Sequence, residues 1–163
     1  MAYIPVEYPK EKKDFYEVLL QQLKQYTEAE TDRTAILSNA SAVLAAALEE
    51  INWVGFYLVQ GEELVLAPFQ GKPAVSRIAY GKGVCGAGWA EKKTQLVADV
   101  HCFPGHIACD CQSNAEIVVP LLDGAGEVLG VLDIDSPRLG RFGTEDLEGL
   151  EAAAAYLAVK IAP

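Results

Sequence analysis

The sequence predicts an α+β domain in which helices pack against an antiparallel β-sheet. Two segments near the N-terminal end and one at the C-terminal end repeat apolar residues at helical spacing. Between them lie two pairs of β-rich segments, each pair joined by a short turn, which is typical of antiparallel hairpins. The chain has 163 residues, of which 51% are hydrophobic, so we expect one domain over 1–163, including a helical segment within 1–30.

The N-terminal third predicts two helices, neither of which contains glycine or proline. Asp14 is available to cap the first helix, and Thr31 or Asp32 precedes the second. One face of each helix is apolar: Phe15, Val18, Leu19, Leu23 and Tyr26 in the first, and Ile36, Leu37, Ala40, Val43, Leu44, Ala47 and Leu48 in the second. A last helix is expected from about Thr144, where residues 144–146 supply a cap and an acidic first turn.

The middle of the chain is rich in β-branched and aromatic residues and predicts the strands. The expected segments, in order, are a strand at 51–59, a turn at 60–63, its partner strand at 64–67, a short strand at 75–79, a glycine-rich turn at 81–88, a short helix at 89–92, a short strand at 96–98, and a second hairpin of 117–122 and 128–134. Residues 99–114 show no period and predict a loop.

The composition excludes several classes of partner. Lys and Arg total 13 and Asp and Glu total 23, which gives a net charge of −10 and no basic block, so nucleic acids and anionic membranes would be repelled. No apolar run approaches the roughly 20 residues that span a bilayer, and residues 1–13 do not resemble a signal peptide. We therefore expect a cytoplasmic protein whose four cysteines are reactive, metal-binding or simply buried rather than structural disulfides.

Residues 81–86 match the pattern G-x-G-x-x-G, and Asp99 follows 18 positions after Gly81. A dinucleotide site needs this turn inside a parallel βαβ unit, which the antiparallel pattern does not favour. The turn can instead bring Cys85 to the start of a short helix, where the helix dipole favours the thiolate. A packed, unreactive cysteine behind a glycine turn fits the same spacing at least as well.

The predicted loop holds both histidines and three of the four cysteines: His101, Cys102, His106, Cys109 and Cys111. Zinc prefers four nitrogen or sulfur ligands in a tetrahedron, and a Cys-x-Cys spacing suits one such ion poorly. The alternative is a redox site, in which one thiolate attacks a substrate and a second cysteine resolves the product to a disulfide.

Carboxylates also stand where the strands should be apolar. Asp133 and Asp135 lie at i and i+2, so they share one side of a strand, and Glu116 opens the neighbouring strand. If the three converge, they form an acidic pocket suited to an ammonium group, and they can share a proton; otherwise they lie on a solvated face. Trp53 and Tyr57 also share a face, either as core or as an aromatic wall for an apolar ligand.

Several of these strings resemble the free methionine-(R)-sulfoxide reductases, which are single GAF domains. They are GKGVCG at 81–86, DVH at 99–101, FPGHIACD at 103–110, SNAEIVVPL at 113–121 and GVLDIDS at 130–136, together with INWVGFYL at 51–58, GRF at 140–142 and the two leading helices. The resemblance implies a six-stranded antiparallel sheet flanked by helices. It also implies reduction of free L-methionine (R)-sulfoxide, not of sulfoxide within a protein.

The resemblance assigns a role to each site residue. Cys109 would be the nucleophile, with Ile107 and Ala108 beside it in the substrate site. Glu116, Asp133 and Asp135 would hold the substrate ammonium and help to protonate the sulfoxide oxygen, and Trp53 and Tyr57 would pack near the methyl-sulfur end. The family implies no metal or bound cofactor, a homodimer, and reduction by thioredoxin and ultimately NADPH.

The resolving cysteine is the least certain of these roles. Family members carry a third cysteine before the glycine-rich turn, where this chain has Val75, so Cys85 would be the resolver. Cys102 and Cys111 do not belong to the family pattern, and each stays open as an alternative resolver, Cys111 through a Cys109–Cys111 disulfide. The alternative functions are a GAF domain that senses a small molecule or a redox state without catalysis, and a zinc module built on the loop.

Overall fold

Four helices and six strands follow one another in the computed structural model, which describes residues 2–107 and 110–163. The elements are α1 (Lys12–Thr27), α2 (Arg33–Ala47), β1 (Trp53–Gln60), β2 (Glu63–Gly71), β3 (Arg77–Ala79), α3 (Gly83–Glu91), β4 (Gln95–Val97), β5 (Ala115–Leu122), β6 (Val128–Ser136) and α4 (Thr144–Ile161), with a single 3₁₀ turn at Val100–Cys102. None of the helices in this described part of the chain is long and apolar enough to cross a membrane.

The strands form one antiparallel sheet in the order β3-β2-β1-β6-β5-β4. The predicted α+β class with an antiparallel sheet of six strands is therefore confirmed. The two hairpins β1–β2 and β5–β6 meet where β1 pairs with β6, with Trp53 opposite Asp135 and Gly55 opposite Asp133. Because β3 and β4 lie at opposite edges, the glycine-rich segment between them is not part of a parallel βαβ unit, as expected.

The sheet is buried on both faces near its centre. One face packs against α1, α2 and α4 through a large core that includes Leu19, Leu44, Phe56, Ile117 and Leu157. The other face carries a smaller cluster, which includes Trp53, Tyr57, Cys85, Val118 and Val131. Alternate residues of a strand point to opposite faces, so β1, β5 and β6 supply both layers.

Acidic side chains cap the N-terminal ends of α1 and α2. Asp32 caps α2, as predicted, by accepting a hydrogen bond from the Ala35 N–H at 2.8 Å. The prediction that Asp14 caps α1 is wrong: Glu11 precedes the helix and accepts from the Lys13 and Asp14 N–H groups at 3.1 and 3.2 Å. A cap must stand before the free N–H groups that it satisfies, and Asp14 lies inside the first turn.

The glycine-rich segment departs most from its prediction. Residues 83–91 form the helix α3, whereas the sequence suggested a turn at 81–88 and a helix only from 89. Glycines here serve close packing: a Cβ on Gly86 would lie 2.9 Å from the Gly81 carbonyl carbon, and one on Gly88 would lie 3.0 Å from Val118 Cγ1. Gly88 lets α3 lie directly against β5, and Gly86 lets it lie against the backbone of residues 79–81.

One buried carboxylate ties the helical layer together. Asp146, in the first turn of α4, accepts hydrogen bonds from Lys12 Nζ at 2.6 Å, from the Tyr16 hydroxyl at 2.7 Å and from the Gly143 N–H at 2.8 Å. Arg141 Nη1 lies 3.4 Å away. These contacts hold the pKa of Asp146 below its usual value despite its burial, and they join α1 to α4.

Candidate active site

Three buried carboxylates lie on the sheet face opposite the helical layer. In the β5–β6 register, Glu116 stands opposite Asp135, and Val118 stands opposite Asp133. Directly paired residues share a face, so Glu116, Asp133 and Asp135 converge, and each is at most 4% exposed. The convergence that the sequence left conditional therefore occurs, and the alternative of a solvated face does not.

Cys85, in the first turn of α3, reaches the same group. Its Sγ and one oxygen each of Glu116 and Asp133 all lie within 4.8 Å of one another. They line a small cavity whose other walls are Lys82, Gly83, Val84, Ile78, Ile107 and Asp135. The free space among them is about 10 Å³, close to the smallest space that holds one water.

Burial raises the pKa of all three carboxyl groups. Burial, and next the charge of Asp135, raise the pKa of Glu116 to about 8. Burial and the neighbouring Glu116 raise the pKa of Asp133 well above its usual value. Burial and the nearby charges of Asp133 and Asp110 do the same to the pKa of Asp135. The group therefore holds protons near neutral pH, and its members can act as proton donors.

The Cys85 thiol does not gain the thiolate character that its position at the start of a helix suggested. Burial, followed by the charges of Asp133, Glu116 and Asp135, raises its pKa well above the usual value. A helix dipole acts with about half a charge, and burial in an apolar surrounding, together with the nearby acidic groups, outweighs it. Resting Cys85 is therefore a buried thiol.

His106 has a contact that the sequence did not foresee. Its Nε2 lies 3.3 Å from Glu116 Oε2, and its side chain is largely buried. Burial lowers the pKa of His106, so the ring is neutral at pH 7. The sequence offered His106 as a metal ligand of the loop, and its place in the GHIACD string was the one signal of a role at this pocket.

The predicted aromatic pair lies beside the cavity. The rings of Trp53 and Tyr57 stack with centroids 6.0 Å apart, and Phe69, which sequence reasoning missed, stacks on Trp53 at 5.1 Å. Trp53 Nε1 donates to the Lys72 carbonyl at 3.1 Å, and the Tyr57 hydroxyl donates to the Val75 carbonyl at 2.8 Å. The pair belongs to the apolar cluster around Cys85 rather than to the immediate lining of the cavity.

Two described residues of the cysteine-rich loop contact other parts of the domain. Ile107 lines the cavity, and buried Asp110 forms an ion pair with Lys72 at 3.2 Å. The predicted site residues Ala108 and Cys109 lie outside the described residues. Asp99 contacts both His101 Nδ1, at 2.9 Å, and Cys102 Sγ, at 3.6 Å.

Among residues 2–107 and 110–163, the histidines and cysteines of the loop form no group of metal ligands. The exposed thiols of Cys102 and Cys111 lie on the surface.

A larger groove of about 650 Å³ lies between α4 and the turn that joins β5 to β6. Its lining includes Pro120, Leu122, Leu147 and Val159 and contains no cysteine or histidine. It lacks the groups that thiol chemistry needs, so the small acidic cavity is the better candidate for an active site.

Known proteins resemble this chain over most of its length. The model of the GAF domain matches residues 13–161. The free methionine-R-sulfoxide reductase of Escherichia coli is 49% identical over 146 residues, which cover 90% of this chain and 88% of the relative. The reductase of the same name from Saccharomyces cerevisiae is 43% identical over 150 residues, or 88% of this chain and 83% of the relative.

A solved structure gives the same result. The X-ray structure of free methionine-R-sulfoxide reductase from Neisseria meningitidis, in complex with its substrate, superposes with a TM-score of 0.90 at 43% identity and covers 96% of this chain and 94% of that one. The fold, the family model and these relatives agree. The chain therefore belongs to the GAF domain family and, within it, to the free methionine-R-sulfoxide reductases.

Proposed function

We propose that this protein is an oxidoreductase that reduces free L-methionine (R)-sulfoxide to L-methionine by thiol chemistry. One observation carries the proposal: the small cavity has carboxylates on one wall and the first turn of a helix on the other. A free amino acid is a zwitterion, with one charge to offer each wall. The relatives named above, which are free methionine-R-sulfoxide reductases, point to the same substrate.

The acidic wall suits the ammonium group of the substrate. Glu116 Oε2 and Asp133 Oδ1 are buried and accept no hydrogen bond from the described residues, so each has a lone pair to offer. An ammonium group has three donors and would satisfy several such oxygens at once.

The opposite wall suits the carboxylate group. The residue before α3, Lys82, makes no side-chain cap, and Gly86 is the first residue whose N–H bonds back into the helix, to the Lys82 carbonyl. The N–H groups of Gly83, Val84 and Cys85 donate no backbone hydrogen bond to the described residues, so they are donors at the positive end of the helix dipole. Lys82 itself is exposed and belongs to the lining of the cavity.

This arrangement explains why a free amino acid would be preferred to a residue within a peptide. A peptide-bound methionine sulfoxide has neither the ammonium nor the carboxylate charge. It would leave buried groups on both walls without partners, at a cost of about 1 to 3 kcal/mol for each group. Hydrogen-bonding sites of this kind reject analogues that lack the bonding group more strongly than apolar pockets do.

The chemistry follows from the two kinds of side chain. The Cys109 thiolate attacks the sulfoxide sulfur, and a protonated carboxyl group of Glu116, Asp133 or Asp135 donates a proton to the oxygen. The protonated oxygen then moves to the Cys109 sulfur as the sulfoxide S–O bond and the transient bond between the two sulfurs break, which leaves Cys109 as a sulfenic acid and releases L-methionine. A second thiol, assigned here to Cys85, then forms a disulfide with Cys109 and releases water.

The remaining parts of the proposal concern the partners. The dithiol of thioredoxin, kept reduced by NADPH in a cytoplasmic setting, would reduce the disulfide to two thiols and become oxidised itself. The protein itself then needs no bound cofactor. A homodimer, as the family resemblance implies, belongs to the same proposal and is tested by light scattering after size-exclusion chromatography.

A coupled assay tests the function. NADPH consumption with thioredoxin and thioredoxin reductase should follow free L-methionine (R)-sulfoxide, and not the S epimer or a blocked peptide. Cys109→Ser should abolish the release of methionine. Full turnover by Cys109→Ser, or equal use of both epimers, would overturn the proposal. Binding of the (R)-sulfoxide without any turnover in the intact protein would favour a sensing domain instead.

A further inference from the structure

The cavity brings three metal-binding atoms, one sulfur and two carboxyl oxygens, into a very small space. Cys85 Sγ, one Glu116 oxygen and one Asp133 oxygen lie within 4.8 Å of one another, and all three side chains are at most 4% exposed. Glu116 Oε2 and Asp133 Oδ1 accept no hydrogen bond from the part of the chain that the structure describes. Glu116 Oε2 has His106 Nε2 at 3.3 Å, so Asp133 Oδ1 is the buried oxygen of the pair without a polar neighbour, and such an atom is uncommon in folded proteins and calls for a ligand.

We propose that Cys85, Glu116 and Asp133 form a binding site for a single divalent cation of the zinc type, and that this cation and the substrate exclude each other. The second part rests on the proposed function, because it is the substrate ammonium that would need the same carboxylate oxygens. The first part stands on the geometry of the three side chains alone.

The donor set selects the class of cation. A thiolate favours Zn²⁺ and similar ions over Mg²⁺ and Ca²⁺, which take oxygen ligands only. Three protein ligands also leave the fourth tetrahedral position open to water, as in zinc sites that exchange ligands. Mg²⁺, which keeps several waters, needs more room than this cavity offers.

The size of the cavity fits one ion. Zinc–sulfur and zinc–oxygen bonds of about 2.3 and 2.0 Å place ligand atoms roughly 3.3 to 3.5 Å apart in a tetrahedron. The three atoms, now within 4.8 Å, would close by about 1 Å, which side-chain rotation supplies. The 10 Å³ of free space is filled by one ion and its contacts.

The charges around the group favour a cation. Asp135 adds a third buried carboxyl group to the lining, whereas Lys82 is exposed to solvent. His106 contacts Glu116 from outside the group, with Nε2 3.3 Å from Oε2, a position from which a neighbour orients a metal-binding carboxylate. Occupation of the site would block the substrate and hold Cys85 away from disulfide exchange. A chelator would reverse both effects.

Metal titration tests the first part without any turnover. The full chain, freed of metal in a non-thiol reductant, is titrated with ZnCl₂ by calorimetry and with CoCl₂ by absorption. We expect one ion per chain and a thiolate-to-cobalt charge-transfer band. Cys85→Ser should remove the band and weaken zinc binding by at least about tenfold, which corresponds to about 1.4 kcal/mol. Asp133→Asn should weaken binding while it keeps the band.

Matched variants locate the ion. Cys102→Ser and Cys111→Ser remove exposed thiols and should leave stoichiometry and band unchanged. The proposal is overturned if no ion binds, or if Cys102→Ser, Cys111→Ser or Cys109→Ser abolishes the band while Cys85→Ser does not. Thermal unfolding shows whether each variant is folded. The cobalt spectrum of the unaltered chain is the reference for its band.

Competition tests the second part. In Cys109→Ser, which cannot turn over, free L-methionine (R)-sulfoxide should raise the apparent Kd of zinc. The S epimer chelates zinc in solution to the same degree and is the matched control. Equal effects of the two epimers would refute the competition and leave the metal site standing. If no metal binds, the reductase activity should still be present. That result would refute the metal site without refuting the proposed function.

Discussion

Burial, more than spacing along the chain, gives the three carboxylates their chemistry. The i and i+2 positions of Asp133 and Asp135 predict a shared face, and the register adds Glu116 opposite Asp135. The sequence could therefore predict the acidic group. It could not predict that the group is covered, because the cover is α3, and it could not foresee the contact between His106 and Glu116.

The pKa of Glu116 leads to a prediction about pH. A proton donor must be protonated, so kcat/KM should fall as pH rises through about 8, where Glu116 loses its proton. Glu116→Gln cannot donate a proton and should lose activity by about 10² to 10⁴-fold. The test is a pH profile of kcat/KM for the two proteins. A profile of the unaltered protein that stays flat to pH 10 would contradict the role of Glu116.

The buried thiol of Cys85 leads to a second prediction. If Cys85 resolves the sulfenic acid, Cys85→Ser should release one methionine per chain and then accumulate Cys109 sulfenic acid, which a dimedone adduct and intact mass reveal. Its raised pKa implies a slow resolving step in the unaltered protein. Cys111→Ser is the comparison: if that variant, and not Cys85→Ser, stops after one turnover, Cys111 is the resolver.

Helix α3 shows at the level of elements where sequence reasoning failed. Glycine is a poor helix former, so a segment with four glycines among residues 81–88 predicts a turn. Tertiary contact overrides this preference, because the lack of a Cβ allows the helix to lie against the sheet. The sequence does predict strands β1, β5 and β6, because β-branched residues fill both of their buried faces.

The close approach of α3 predicts a large effect of one methyl group. In Gly86→Ala the new Cβ would meet the backbone of Ala79 and Gly81 at about 3 Å, so α3 must shift. We expect a loss of about 1 to 3 kcal/mol in the free energy of unfolding, together with reduced activity. Gly124→Ala, with no atom within 4 Å of the new Cβ, is the control and should change stability by less than about 0.5 kcal/mol. Urea unfolding measures both.

The clamp between α1 and α4 predicts a second effect at this level. Asp146→Asn leaves Lys12, Arg141 and Tyr16 without their anion and should cost about 2 to 4 kcal/mol of unfolding free energy. Arg77→Ala, which breaks the exposed ion pair with Glu63, should cost less than about 1 kcal/mol. Equal losses in the two variants would show that the clamp is no stronger than a surface pair.

Across the whole molecule, the β-sheet separates the main apolar core from the candidate active site. The face toward α1, α2 and α4 carries the larger apolar core, and the opposite face carries the acidic cavity under α3. The net charge of −10 predicts from the sequence alone that nucleic acids and anionic membranes are repelled. The net charge does not distinguish the three buried acidic residues from the acidic residues that lie in solvent, because that difference depends on long-range strand pairing.

The buried acids should make the stability of the protein depend on pH. Their pKa values are raised on folding, so their contribution is fully present below the unfolded pKa of about 4 and is lost as pH rises toward the folded values, about 8 for Glu116. We expect the free energy of unfolding to fall between pH 5 and 8 by up to about 1.4 kcal/mol per pH unit for each such group.

Asp133→Asn should reduce that slope, and it should raise stability at pH 8 while lowering activity. Thermal and urea unfolding across the pH range measure both effects. An unaltered slope in Asp133→Asn would show that Asp133 ionises as easily in the folded chain as in the unfolded one.

The small volume of the acidic cavity has a kinetic consequence. The proposed substrate is larger than the free space of about 10 Å³, so its binding would require Ile107 and the first turn of α3 to move apart. The measured affinity is then the intrinsic affinity multiplied by the fraction of open molecules. Substrate capture would saturate at the rate of opening, and a substitution that favours the open form would increase apparent affinity without adding a single contact.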